Sequence, residues 1–189
     1  MAALAFWYYL DSRGPVRAPG VLVAAAPREL PLAADDRAFD QRGYHIVPRS
    51  AIVLEARVLS TQRYFSGREA DLSPLDAVLG WGPLSDSAVL ANIDFAQDKR
   101  AYFWKDYANA LPNREIELHS VNMHMIAADG SIERRLKGLR PGHIVRLTGY
   151  LVEVQAHDGW KWTNSLTRDH AGAGAGTGAL LWVKTLELH

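Results

Sequence analysis

The chain has 189 residues, 21 Lys and Arg against 21 Asp and Glu, 48% hydrophobic residues and no cysteine. That length suits one domain able to fold without staples, and zero cysteine excludes a disulfide framework, thiolate zinc sites, iron–sulfur clusters and a cysteine nucleophile. A net charge of zero removes the general electrostatic reason to bind DNA or anionic lipid, although it averages over a basic stretch holding Arg134, Arg135, Lys137, Arg140 and Arg146.

In chain order, MAALAFWYYL opens the sequence as an apolar run. It is too short for a helical membrane span, which takes about 20 residues, and lacks the basic flank and cleavage site of a complete signal peptide. Three readings stand: the tail of a signal or anchor segment, an edge strand or short helix packed on the domain, or an end set by cloning. Residues 11–43 carry Pro15, Pro19, Pro27 and Pro31 among Gly, Ala and charge, and read as an extended lead-in. The β-rich domain is therefore expected over residues 44–189.

From Ser50 to Leu59 the pattern alternates, with Ile52, Leu54, Ala56 and Val58 on one face, which predicts a half-buried strand. SPLDAVLG then reads as a two-turn helix: Ser73 caps it, Pro74 takes the first position, Asp76 closes a capping box and Gly80 ends it. A second helix is expected in WGPLSDSAVLANI, with Ser85 as cap and Val89 and Ile93 at helical spacing. RAYFW reads as a strand, Pro112 as a turn, and EIELHSVNMHMI as a further strand.

Asp129 and Gly130 supply a turn before IERRLKGL. In HIVRLTGYLVEV the buried phase changes: Val145, Leu147 and Leu151 set one face, whereas Tyr150, Val152 and Val154 set the other. A strand that changes its buried face at Gly149 is a device for turning the corner of a small barrel. His157, Asp158 and Gly159 form a hairpin turn leading to Trp160 and Trp162, and ALLWVKTLEL, after the run GAGAGTG, is the last strand. These elements predict a mainly β fold, a small barrel of OB or SH3-like type with a short helical insertion.

Several clusters could carry chemistry. HSVNMH places His119, Asn122 and His124 together, and histidine suits acid–base work or metal ligation near neutral pH. A spacing of five puts the two imidazoles on opposite faces of a regular strand; only a bulge at Asn122 would join them. The competing reading packs Met123 and Met125 inside and lets Asn122 and His124 bond loop backbone. TNSLTRDH holds Ser165, Arg168, Asp169 and His170, but no nucleophile elbow surrounds Ser165, and Arg168 with Asp169 serves equally as an ion pair. GAGTGA resembles a dinucleotide loop, yet a strand and not a helix follows it, so no cofactor is implied. Trp81, between two glycines, reads as a plug over the core, with Asp86 able to offer a carboxylate.

Taken together, LSPLDAVLGWGPLSD, HSVNMHMI, GYLVEV and GWKWTNSLTRD resemble a family of bacterial proteins of unknown activity that look exported or membrane-anchored. The resemblance spans roughly residues 50–185 and implies a periplasmic or inner-membrane-anchored protein, with a cytoplasmic one as the alternative. It transfers no activity. The first functional reading is a non-enzymatic accessory or ligand-binding β domain using Trp81, Asp86, Asn122, His124 and Arg168, with envelope proteins or a small ligand as partner. The second is a hydrolase, with or without a metal, acting through His119, His124 and Asp169. Single-stranded nucleic acid, stacked on residues such as Tyr64 and Trp162, is the weakest reading, because core packing accounts for most aromatic residues in a small barrel.

Overall fold

A run of alternating residues makes one long strand, β3 (Tyr44–Arg63), the spine of the structure. The computed structural model describes residues 14–163 and 178–189. The apolar N-terminal run and the segment with Ser165, Arg168, Asp169 and His170 lie outside these residues. Strand pairing begins ahead of residue 44: β1 (Arg28–Leu30) and β2 (Phe39–Gln41), both within the expected lead-in, pair antiparallel with β3.

After β3 comes a short helix, α1 (Arg68–Leu72), and then β4 (Leu75–Gly80), followed by a 3-10 turn over Gly82–Ser85 and α2 (Ser87–Leu90). A two-stranded hairpin of β5 (Ile93–Asp98) and β6 (Ala101–Asp106) stands apart from the main sheet. Helix α3 (Asn113–Leu118), strand β7 (Ser120–Ala127), helix α4 (Gly130–Lys137), and strands β8 (Ile144–Ala156), β9 (Lys161–Trp162) and β10 (Gly178–Leu188) complete the described elements. The first part of β3 pairs with β8 and its last part with β4. From β4 the pairing runs through β7 and β10 back to β8, with β7 and β10 parallel and the other pairs antiparallel. The fold is mainly β.

Four expectations need correction. SPLDAVLG is not a helix: Leu75–Gly80 is a strand paired on both sides and buried at every position. A central strand covered on both faces loses its alternation and becomes a near-continuous apolar run, so the Ser-Pro-Leu-Asp start imitated a cap. Ser73 instead ends α1, its N–H donating to the Glu69 carbonyl. The second helix is split, and Asp86, not Ser85, caps α2 by accepting from the Ala88 N–H. EIELHSVNMHMI divides at His119, which closes α3, so only its second half is strand. Asp129 likewise opens a helix, accepting from the Ser131 and Ile132 N–H groups, which is worth about 1 kcal/mol.

The face switch in β8 holds. Val145, Leu147 and Leu151 join one core with Ile52, Leu54, Leu79, Met123 and Met125, whereas Val152 and Val154 join a second core with Ile46, Ile126 and Leu180. A Cβ on Gly149 would lie 1.9 Å from the Trp182 carbonyl oxygen, so only glycine allows β10 to approach there. Across from it, β10 carries a register shift between Val183 and Thr185. The α4 residues Ile132 and Leu136, with Leu139 beyond the helix, pack into the first core. Leu72 of α1 packs into the second, against which Trp160, Trp162 and Trp182 also lie.

Candidate functional site

Adjacent residues of β4 and β7 face two different environments. Leu75, Ala77, Leu79, Met123 and Met125 enter the first core, while Asp76, Asn122 and His124 project from the other side. Register sets Asp76 directly opposite His124, and Asn122 follows two residues before His124 on the same face. All three are buried: Asp76 and Asn122 are 0% exposed and His124 3%. Groups this deep need partners.

Those partners come from the β5–β6 hairpin. Its two-residue tip, Lys99 and Arg100, has positive φ at both positions, 47° and 68°, the backbone of a tight I′ turn that favours Asn and Gly. Non-glycine residues there cost roughly 1–3 kcal/mol each and persist where the surroundings hold them. Arg100 is held at three points. Its N–H donates to the Tyr64 hydroxyl at 3.0 Å, its carbonyl accepts from Asn122 Nδ2 at 3.0 Å, and its guanidinium donates to Asp76 Oδ1 at 2.5 Å and to the Ser73 carbonyl at 2.9 Å. The guanidinium also lies over the Tyr64 ring, 3.7 Å from its centroid, and 5.3 Å from that of Trp162. Burial, then the Asp76 charge, raises the Tyr64 hydroxyl above its ordinary pKa.

The network is incompletely satisfied. Gln97 on β5 donates to Asn122 Oδ1 at 2.8 Å, but its own Oε1 has no partner. Asp76 Oδ2 sits 2.9 Å from His124 Nδ1, close enough for an ion pair, yet the approach lies outside hydrogen-bonding alignment and both atoms lack a bond. The His124 ring packs on Trp162 at 5.3 Å between centroids. Its other edge meets Gly178, where a Cβ would stand 2.3 Å from Nε2, so glycine is required for β10 to close over the ring. A fully orphaned buried polar group costs about 1–3 kcal/mol; Gln97 Oε1 is one, while Asp76 Oδ2 and His124 Nδ1 face each other without a hydrogen bond. Trp162 and Tyr64 are themselves half-buried.

Of the residues expected from sequence, Asn122 and His124 come together here. His119 does not join them. Its Nδ1 contacts the Glu115 carbonyl at 2.8 Å, and its ring lies against Gly82. Trp81 packs with Val23 and Ile144 as a plug. Asp86 accepts from the Gly20 and Ala88 N–H groups, which lower its pKa. Arg168 and Asp169 lie outside the described residues. Among the described residues no group of three or more His, Asp or Glu side chains could hold a metal ion, and no helix is long and apolar enough to cross a membrane. Sequence reasoning missed Asp76, Gln97 and Arg100. A single acid inside the apolar LDAVLG was the signal for Asp76; nothing local pointed to the other two. No family model matches the chain, and neither a curated protein nor a solved structure matches it.

Proposed function

We propose that the protein is a non-enzymatic ligand-binding β domain of the bacterial envelope, built as a small barrel of the OB type, whose ligand face is the polar side of β4 and β7. The pairing order supports the barrel, since it leads from β3 through β4, β7, β10 and β8 back to β3. OB barrels bind ligands on their second and third strands and on the loops between strands one and two and between four and five. Counted in chain order as β3, β4, β7, β8 and β10, the five strands of that cycle place β4 and β7 second and third; Tyr64 lies in the first of those loops, and Trp162 follows the fourth strand, β8.

The observation that carries the reading is a cluster of buried polar atoms that make no hydrogen bond, Gln97 Oε1 and the facing Asp76 Oδ2 and His124 Nδ1, beside Trp162 and Tyr64. Two are acceptors only, and an aromatic pair stands over them. That chemistry suits a ligand with hydroxyl or amide donors and one flat face, such as a saccharide. A hydrolytic role is disfavoured because His119 bonds the Glu115 carbonyl at the end of α3 and does not share a site with His124. The apolar MAALAFWYYL supports the envelope assignment.

The test is an NMR titration of the full chain with chitotetraose and, separately, with a single-stranded dT oligomer. Saturable shifts of the Trp162 indole and the His124 amide with the saccharide, lost in Trp162→Ala, are expected. Shifts with the oligonucleotide alone would favour the nucleic-acid reading, and no shift with either probe contradicts a ligand face. Host-cell fractionation tests the compartment: recovery in the cytosol alone would contradict the envelope assignment.

A further inference from the structure

Arg57 on β3 is 91% buried, with 9% of its surface exposed. Arginine is seldom buried this deeply without an acidic partner. Here Nη1 donates to the Ser85 carbonyl at 3.0 Å and to Ser87 Oγ at 2.8 Å. Among the described residues, Nε and Nη2 have no hydrogen-bond acceptor, and the guanidinium forms no ion pair with any carboxylate. The nearby Asp86 carboxylate is taken up by the Gly20 and Ala88 N–H groups. Burial, followed by the Arg17 charge, holds the Arg57 pKa below its ordinary value, with Asp86 only partly offsetting them. Among the described residues the Nε and Nη2 edge is left without a protein acceptor, and the nearby Asp86 charge only partly offsets the burial.

Beside it is a cavity of about 220 Å³. Leu59, Leu90, Ile93 and Phe95 supply apolar walls, and Arg57 supplies charge. Asp94, the acidic residue at this cavity, is exposed and accepts from the Tyr107 hydroxyl at 3.0 Å. The guanidinium is also held in place. Ser85, whose carbonyl anchors Nη1, is itself fixed where Ser85 Oγ accepts from the Leu22 and Val23 N–H groups, both at 3.0 Å. The motif LGWGPLSD, which the β4–β7 face leaves largely unused, thus supports this arginine. Rigid support for a charged group lowers the ordering cost of binding.

We infer that this cavity is a second ligand site, one for a small carboxylic acid with a branched apolar body, its carboxylate bound by Nε and Nη2 of Arg57. The free edge of the guanidinium presents two parallel N–H groups, the fork that matches a carboxylate. The volume is below the roughly 300–1,000 Å³ of sites for drug-sized molecules, which limits the ligand to a short acid. The site is separate from the β4–β7 face and does not depend on the function proposed for that face.

Calorimetry and amide shifts on the full chain, with 4-methylpentanoate, 4-methylpentan-1-ol and inorganic phosphate as probes, test the inference. The acid is expected to bind about tenfold or more tightly than the alcohol, since charge-assisted hydrogen bonds contribute about 1.5–3 kcal/mol. It should shift the amides of Leu59, Ile93 and Phe95, with phosphate binding more weakly than the acid. Acid and alcohol binding alike, phosphate matching the acid, or no binding by the acid would each overturn the site. Arg57→Met should abolish the preference for the acid, and Arg57→Lys should weaken it by removing the fork. The wild-type comparison decides the matter even where a variant fails to fold.

Discussion

The two sides of β4 and β7 are equally buried and chemically opposite. Leu75, Ala77, Leu79, Met123 and Met125 fill the first core without a polar atom, while Asp76, Asn122 and His124, their immediate neighbours, form a network with unbonded atoms left inside it. Burial alone therefore does not dictate the chemistry of these strands. The apolar side is explained by stability. The polar side is worse than an apolar surface of the same shape would be, since half-satisfied networks lose more than they return, and the proposed ligand-binding role gives a reason to keep it.

The largest predicted effect is on the polar side. Asp76→Ala would leave Arg100 and His124 without their acid, and breaking a buried pair in this way costs about 3–5 kcal/mol. Urea denaturation showing less than about 1 kcal/mol would mean that Asp76 is not the hub. On the apolar side Leu79→Ala should cost about 2–5 kcal/mol, but Leu79→Met less than about 1.5 kcal/mol because volume is conserved. Asp76→Asn, equally conservative in size, should remain costly, since it removes the charge that Arg100 requires. If both conservative changes are equally mild, the contrast between the two sides fails.

A smaller effect is expected at the corner of β8. Gly149→Ala forces a methyl group against the Trp182 carbonyl and should lower stability by about 1–3 kcal/mol; a variant as stable as the parent would remove the account of that bend.

The smallest predicted effect is pH-dependent. Burial, then the Arg17 and Arg140 charges, depresses the His143 pKa below 6.5, and His143 Nδ1 accepts the Arg140 N–H at 3.3 Å, which requires the neutral ring. Its contribution to stability is present above pH 6.5 and is lost as the pH falls through the depressed folded value. Thermal unfolding should decline less between neutral and mildly acidic pH in His143→Gln than in the parent, and parallel declines would exclude this group.

Strand β8 was legible because its alternation and the phase change at Gly149 survive in the sequence; both faces are buried, but in different cores. Strand β4 was misread because burial on both sides erased its alternation and left a serine, a proline and an acid that together imitate a helix start. For the site, His124 and Asn122 stood out by residue type and proximity. Arg100 and Gln97 did not, because they reach Asp76 and Asn122 only when the β5–β6 hairpin folds onto the sheet. No local pattern encodes that contact, although two positive φ values at Lys99 and Arg100 mark it once the backbone is known.

The claim that the polar side of β4 and β7 is kept for binding is tested most directly by the unfolding free energy of one triple variant, Asp76→Leu, Arg100→Met and His124→Leu. Replacing a buried charged network by apolar residues is often neutral or stabilising by about 1–4 kcal/mol. The account predicts a protein as stable as the parent or more so. A loss of more than about 3 kcal/mol in the triple variant, comparable to Asp76→Ala alone, would show that the network holds the fold together and would contradict the claim.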